Sequence, residues 1–199
     1  MNKISKIVYI NLQRREDRRK EIEQELDTMG LKGERFDAIS KDPGIIGCNM
    51  SHIQVLKQAE AAGLENLLVF EDDFQFLVDK PTFYKQIEDF FALDVQWDIV
   101  LLSYNLKSGT PYNELIGRAR DAQTTSGYLI NKKCFKPLAD CIEVATEKLI
   151  RTGEHWNYAL DQAWKVLQRT GDVFYFTTRI GKQRPSFSDN SKEFMDFGV

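Results

Sequence analysis

The sequence predicts an α/β fold, on three observations. Apolar runs of strand length, among them Leu67-Leu68-Val69-Phe70 and Ile99-Val100-Leu101-Leu102, are apolar throughout rather than alternating. That is the pattern of central strands covered on both faces. These runs alternate with charged segments whose apolar residues recur at spacings of three and four, the helical period. Finally, no repeat, low-complexity linker or composition shift divides the 199 residues. One domain spanning 1–199, with a loose tail over about 185–199, is the simplest description.

Each element follows from its local residues. Ile7 to Leu12 reads as a first buried strand, and the charged segment after it as a helix with Ile22, Leu26 and Met29 inward and Gly30 as terminator. Glu34 to Ile39 reads as a second strand, Gly44 to Gly47 as a loop, and Asn49 to Ala62 as a helix closed by Gly63. The strand through Leu67–Phe70 comes next. Asp79 is an N-cap with Pro81 in the first turn of a helix through Ile87, Phe90 and Phe91. Trp97 to Leu102 is a further strand, and Tyr104 to Glu114, rich in Gly, Pro, Ser and Asn, reads as a mobile loop. Thr125 to Ile130 is a strand; a helix follows Asn131, its course beyond Pro137 left open. Trp156, Leu160, Ala163, Trp164 and Leu167 predict one continuous helix over Trp156–Arg169 with both tryptophans in the core. Val173 to Thr177 is the last strand.

Composition excludes several classes. With 42% hydrophobic and 29% charged residues and a formal net charge of −3, the chain reads as soluble and globular, without the basic bias of a nucleic-acid binder. No apolar run approaches the roughly 18 to 20 residues that span a bilayer, which leaves only peripheral membrane contact. Met1 to Ile10 lacks the apolar region of a signal peptide. Cys48, Cys134 and Cys141, with no CxxC pair, suit reduced thiols and a cytoplasmic location. With only His52 and His155 beside them, a structural zinc site is not expected.

The chemistry concentrates where the strand through Phe70 runs into Glu71-Asp72-Asp73. Three carboxylates at a strand's carboxyl end repel one another, and a hard divalent cation relieves them. Open α/β sheets bind ligands at that edge. A solvated acidic turn is the plain alternative. The usual phosphate cradles are missing: there is no GxGxxG after the first strand and no GxxxxGK[ST]. A metal ion assisted by arginine can neutralise a diphosphate instead. Arg14 and Arg18 oppose the helix dipole near a helix start, which points to an anionic partner; a solvated helix start and nuclear targeting are the other readings.

An ordered series of segments resembles glycosyltransferase family 25, the lipooligosaccharide and collagen galactosyltransferases. It comprises Val8-Tyr9-Ile10-Asn11-Leu12 with Arg14, Arg15, Asp17 and Arg18, then Arg35-Phe36-Asp37-Ala38, Gly47-Cys48-Asn49-Met50-Ser51-His52 and Glu71-Asp72-Asp73. Thr124 through Ile130, Asp161-Gln162 and Gln183 through Asp189 continue it, so the likeness covers residues 6 to about 190. The resemblance implies a single GT-A-type nucleotide-diphospho-sugar transferase domain with a mixed central sheet. It implies inverting, metal-assisted transfer of a hexose, galactose first, from a UDP-sugar to a glycan or hydroxylated protein. The ion is Mn²⁺ or Mg²⁺. Asp73 is the leading metal ligand with Glu71 as partner, pointing together if strand geometry persists while Asp72 turns away toward the ribose. Asp189 or another tail group completes the shell. Asn11, Arg14, Arg18, Asp37 and Gln183 are expected around the donor. Ser51 and His52 either meet an anion at a helix start or serve as a cap and a core histidine.

The acceptor hydroxyl needs a base, and Asp161 is the candidate with Glu154 in reserve. The first acid of the cluster is Glu, a departure from the strict DxD form that leaves the ligand set open. A catalytically inactive nucleotide-sugar-binding or interaction module of the same fold is the competing function. A receiver or phosphatase-like domain does not fit, because Leu12-Gln13-Arg14 stands where its nucleophilic Asp would be.

Overall fold

The computed structural model describes residues 3–187, 194–196 and 198. The first half of the chain runs β1 (Ile7–Asn11), α1 (Glu16–Met29), β2 (Glu34–Asp37), α2 (Gly44–Ala61), β3 (Asn66–Glu71), β4 (Phe74–Phe76), α3 (Lys80–Ala92) and β5 (Ile99–Leu101). It continues through β6 (Asn105–Pro111), β7 (Ile116–Gln123), β8 (Gly127–Asn131) and α4 (Lys132–Thr152). Three short helices follow, α5 (His155–Tyr158), α6 (Leu160–Ala163) and α7 (Lys165–Thr170). The chain then makes β9 (Val173–Phe176), β10 (Gly181–Gln183), β11 (Ser186–Phe187) and β12 (Phe194–Met195).

Eight strands form one mixed sheet in the order β2-β1-β3-β8-β5-β9-β7-β6. β1 is parallel to β2 and β3, and β5 to β9, whereas β8 runs antiparallel between β3 and β5. Successive residues of the central strands enter opposite cores, as a two-residue period requires. Val8, Ile10, Leu67 and Val69 pack under α2 and α4; Tyr9, Leu68 and Phe70 pack under α1 and α3. This is the α/β architecture the apolar runs predict, with the mixed central sheet that the family 25 resemblance implies.

The predicted termini hold where the chemistry is local. Gly30 ends α1 in the left-handed conformation at φ 66°, and Asp79 Oδ1 accepts the Thr82 N–H at 3.0 Å. Three expectations fail. Tyr104 to Glu114 is not a loop: its polar residues form β6, an outermost strand of the sheet whose pairing with β7 supplies the order that its sequence does not. The Gly44–Gly47 segment is the first turn of α2. There a Cβ on Gly47 would overlap the Ile39 carbonyl oxygen, so glycine permits the close crossing of helix and loop.

The third failure is the helix over Trp156–Arg169, which breaks at Ala159 in an extended conformation. Asn49, buried in α2, spans the break: its Nδ2 donates to the Tyr158 carbonyl and its Oδ1 accepts the Leu160 N–H. Trp164 is buried as expected, with Nε1 donating to the Ala122 carbonyl at 3.2 Å. Trp156, on the far side of the break, is 62% exposed and not in the core. Pro137 is accommodated inside α4.

Candidate active site

The carboxyl ends of β1, β2 and β3 reach the same edge of the sheet because the three strands are parallel. The register sets Asn11 beside Asp37 and Ile10 beside Glu71. β8, being antiparallel, starts at this edge, where Glu71 N–H donates to the Ser126 carbonyl at 2.8 Å. The acid cluster therefore sits where a parallel α/β sheet offers its crevice.

The strand ends at Glu71, and Asp72-Asp73 form a turn into β4. Phe74 anchors that turn. Its ring lies 4.6 Å from Phe70 and 4.9 Å from Phe76, and side chains at Gly127 or Gly181 would overlap it. The turn changes the direction of the acids. Glu71 and Asp73 do not project together: Arg18 Nη1 joins Asp72 Oδ1 at 3.0 Å and Asp73 Oδ2 at 3.3 Å, while Glu71 turns toward α2. The expected alternation fails because strand geometry stops at Glu71, two residues short of Asp73.

Asn11 Nδ2 donates to Asp72 Oδ2 at 2.8 Å, and Arg35 holds the Asn11 amide by a bond from Nε to Oδ1 at 3.1 Å. Gln183 Nε2 donates to Asp73 Oδ2 at 3.0 Å from β10, which pairs with β4. The Arg184 backbone N–H donates to the Asp73 carbonyl, and its guanidinium joins Glu21 and Glu25 of α1. Asp72 and Asp73 are both buried. Burial, and then the Glu71 charge, raise the Asp73 carboxyl to about 7 against the pull of Arg18. Burial raises Asp72 too, with Arg18 and Asn11 opposing.

Glu71 Oε1 accepts from Thr125 Oγ1 at 2.6 Å and lies 3.4 Å from His52 Nε2. Burial alone would raise its carboxyl, but His52, Thr125 and Arg18 together hold it below the ordinary value. His52 is fully buried and shares a 2.8 Å hydrogen bond between Nδ1 and the Tyr128 hydroxyl.

A cleft of about 380 Å³ opens beside Glu71, lined also by Cys48, Thr124, Thr125, Asp161 and Gln183. Asp161 reaches it from α6. Burial raises its carboxyl above the ordinary value; Lys165 and a hydrogen bond from the Thr124 backbone oppose this. Thr124 holds φ at 80°, a strained value for a β-branched residue, at the point where the chain turns into the cleft. Asp37 and Arg14 instead line a neighbouring open hollow with Leu12, Gln13, Ala38 and Ser40, where Arg14 Nη1 donates to Ser40 Oγ at 3.1 Å.

The structure thus gathers Asn11, Arg18, Asp72, Asp73 and Gln183 into one network and Glu71, Asp161 and Gln183 around one cleft. Ser51 is buried away from both, accepting the Ile39 N–H at 2.8 Å and donating to the Gly47 carbonyl at 2.7 Å. Ser51 thus lies inside α2, neither at a free helix start nor as its cap, because the helix already begins at Gly44. Glu154 does not line the cleft and accepts from Asn157 Nδ2. Asp189 lies outside the described residues. Sequence reasoning missed Thr125, Arg35 and Asn49, whose roles depend on partners from other elements. Each stands in a segment of the family 25 likeness, Arg35 in Arg35–Ala38, Asn49 in Gly47–His52 and Thr125 in Thr124–Ile130, and that was the available signal.

The donor set suits a hard cation. Asp73 Oδ1 is buried and has no hydrogen-bond partner among the described residues, and the Asp72 carboxylate, held on the same Arg18, adds a second hard oxygen donor. A carboxyl pushed to about 7 by its neighbours is relieved by a divalent charge. These residues fit Mg²⁺ or Mn²⁺.

No family model matches the chain. A glycosyltransferase 25 family member from Aedes aegypti is 27% identical over 190 residues, covering 76% of this chain and 30% of that protein. The inactive glycosyltransferase 25 family member 3 of Homo sapiens is 26% identical over 151 residues, covering 61% of this chain and 25% of that protein. The chain is thus similar in sequence to glycosyltransferase 25 family members over 61–76% of its length. It spans less than a third of the length of these curated relatives. Among solved structures, A197 from STIV shares the fold at a TM-score of 0.50 and 10% identity, covering 97% of this chain and 94% of that one. The mixed sheet and its acid-bearing edge are consistent with a single GT-A-like domain, as the family 25 likeness implies.

Among the described residues no helix is long and apolar enough to cross a membrane.

Proposed function

We propose that this family 25 relative transfers a hexose, galactose first, from a UDP-sugar to a hydroxyl of a glycan or hydroxylated protein, with inversion and with Mn²⁺ or Mg²⁺. One observation carries the reading. The buried acid pair Asp72–Asp73 is linked by Gln183 to a cleft that also contains Asp161. A metal-binding acid pair beside a cleft that holds a base is what this transfer needs.

Asp73 and Asp72 would hold the ion, with Asp189 proposed as a third ligand; Glu71 is left out of the set because it faces His52. Bound, the ion supplies countercharge to the departing diphosphate. Asn11 and Arg18 fix Asp72, and Arg14 and Asp37 border the hollow assigned to the nucleotide. Asp161 takes the acceptor hydroxyl's proton onto its carboxylate. Its raised pKa makes it a stronger base, and the Thr124 N–H orients it. The three free cysteines support a reducing, cytoplasmic setting.

A non-catalytic holder of nucleotide sugar is the second reading, favoured by the name of the human relative and by the engagement of both Asp72 and Asp73 with Arg18. Nucleotide sugars are screened for thermal stabilisation with and without Mn²⁺, and stabilising donors are then assayed for release of UDP with and without acceptor. Metal-dependent stabilisation followed by turnover supports the transferase. Stabilisation without turnover supports the holder, and stabilisation by no nucleotide sugar contradicts both.

A further inference from the structure

The acids account for one cation, yet Glu71 is turned away from it toward two other ligand types. Cys48 and His52 stand four residues apart on α2 and so share a helix face. The end of β3 brings Glu71 against that face. A thiol sulfur, an imidazole nitrogen and a carboxylate oxygen then lie within 4.8 Å of one another.

The histidine decides what this cluster is for. His52 is fully buried, its ring lies stacked on Tyr128, and its Nδ1 is engaged by the Tyr128 hydroxyl. Nε2 has no hydrogen-bond partner among the described residues; its 3.4 Å approach to Glu71 Oε1 fails as a hydrogen bond. A buried ring nitrogen without a partner is costly, on the order of 1 to 3 kcal/mol. A histidine held through one nitrogen by a hydrogen-bonding neighbour, with the other nitrogen aimed at further ligand atoms, is the usual support of a metal ligand. Thr125 Oγ1 steadies Glu71 in the same way. Cys48 and Glu71 also line the cleft, so the trio has one side open to a water or a substrate group, as three-ligand zinc sites do.

We propose that Cys48, His52 and Glu71 form a second divalent-cation site, selective for a thiophilic ion such as Zn²⁺ and open toward the cleft. Sulfur and imidazole separate it chemically from the all-oxygen pair Asp72–Asp73. Binding converts the Cys48 thiol to thiolate and releases its proton to water. The sequence argued against a structural zinc site because only His52 and His155 stand beside the three cysteines; the third ligand here is a carboxylate that arrives from a different element.

The test uses the full chain freed of metal and titrated with Co²⁺ as a spectroscopic probe. One equivalent is expected to give a thiolate-to-cobalt charge-transfer band that Zn²⁺ bleaches and that excess Mg²⁺ or Mn²⁺ leaves in place. Cys48→Ser, at a partly exposed position, should abolish the band while circular dichroism stays unchanged. Tyr128→Phe should weaken Co²⁺ binding about 10- to 100-fold through loss of the support of His52. Asp73→Asn should leave the band intact, which separates this site from the donor metal. Absence of the band, its survival in Cys48→Ser, or its loss in Asp73→Asn would each overturn the proposal.

Discussion

At Asp73 burial and charge oppose each other, and the balance is readable as a pH dependence. Its carboxyl sits at about 7 in the fold against 3.8 ordinarily, so between those values the folded chain holds a proton that the unfolded chain has lost. Stability then falls as pH rises through this window. The metal-free protein should melt lower at about pH 8 than at about pH 5, and Asp73→Asn should flatten that slope; each kcal/mol shifts Tm by about 2 to 4 °C in a chain of this size. An unchanged slope in thermal scans of the variant would assign the dependence elsewhere. Arg18 belongs to the same balance. Because its guanidinium faces two buried carboxylates rather than solvent, Arg18→Ala should destabilise the metal-free fold, by about 3 to 5 kcal/mol as for a broken buried pair. Arg14→Ala, at an exposed position, should weaken donor binding alone. Calorimetry of both variants distinguishes the two roles, and equal melting points would contradict the clamp. At the base, Asp161→Asn should retain UDP affinity and lower transfer by about 10² to 10⁴, with Glu154→Gln near wild type. Loss of transfer in Glu154→Gln alone would reverse the assignment.

Among the elements, α2 ties the loop after β2, the break before α6 and the Cys48–His52 face into one body. Gly47 is the contact point. Gly47→Ala would drive a methyl group into the Ile39 carbonyl, and overpacking of this kind costs about 1 to 3 kcal/mol. A clear fall in Tm is expected, and a neutral substitution would mean that the crossing relaxes freely. The same helix shows what was legible in the sequence. Its inward residues Ile53, Val55, Leu56 and Ala59 follow from periodicity, and the acid-tipped strand β3 from its apolar run. The start of α2 did not, because Gly44 and Gly47 read locally as loop while tertiary contact makes them helical. β6 was illegible for a related reason: an edge strand with one solvated side needs few apolar residues. The break at Ala159 depends on Asn49, more than a hundred residues earlier, so the Trp156 stripe gave a continuous helix that the fold does not contain. Among the site residues, the three acids were legible as a group. Their directions were not, because these depend on where β3 ends.

Over the whole molecule, parallel strands deliver Asn11, Asp37 and the acid cluster to one edge, β8 brings Thr125 back to it, and the β4–β10 ribbon closes Gln183 over Asp73. In the proposed function this edge binds a nucleotide diphosphate through a metal held by Asp73 and Asp72. Calorimetric titration of UDP tests it directly, in Mn²⁺, in EDTA, and with Asp73→Asn in Mn²⁺. Measurable binding in Mn²⁺ that is lost or strongly weakened in the other two conditions is the predicted result. Equal affinity in all three would contradict the account.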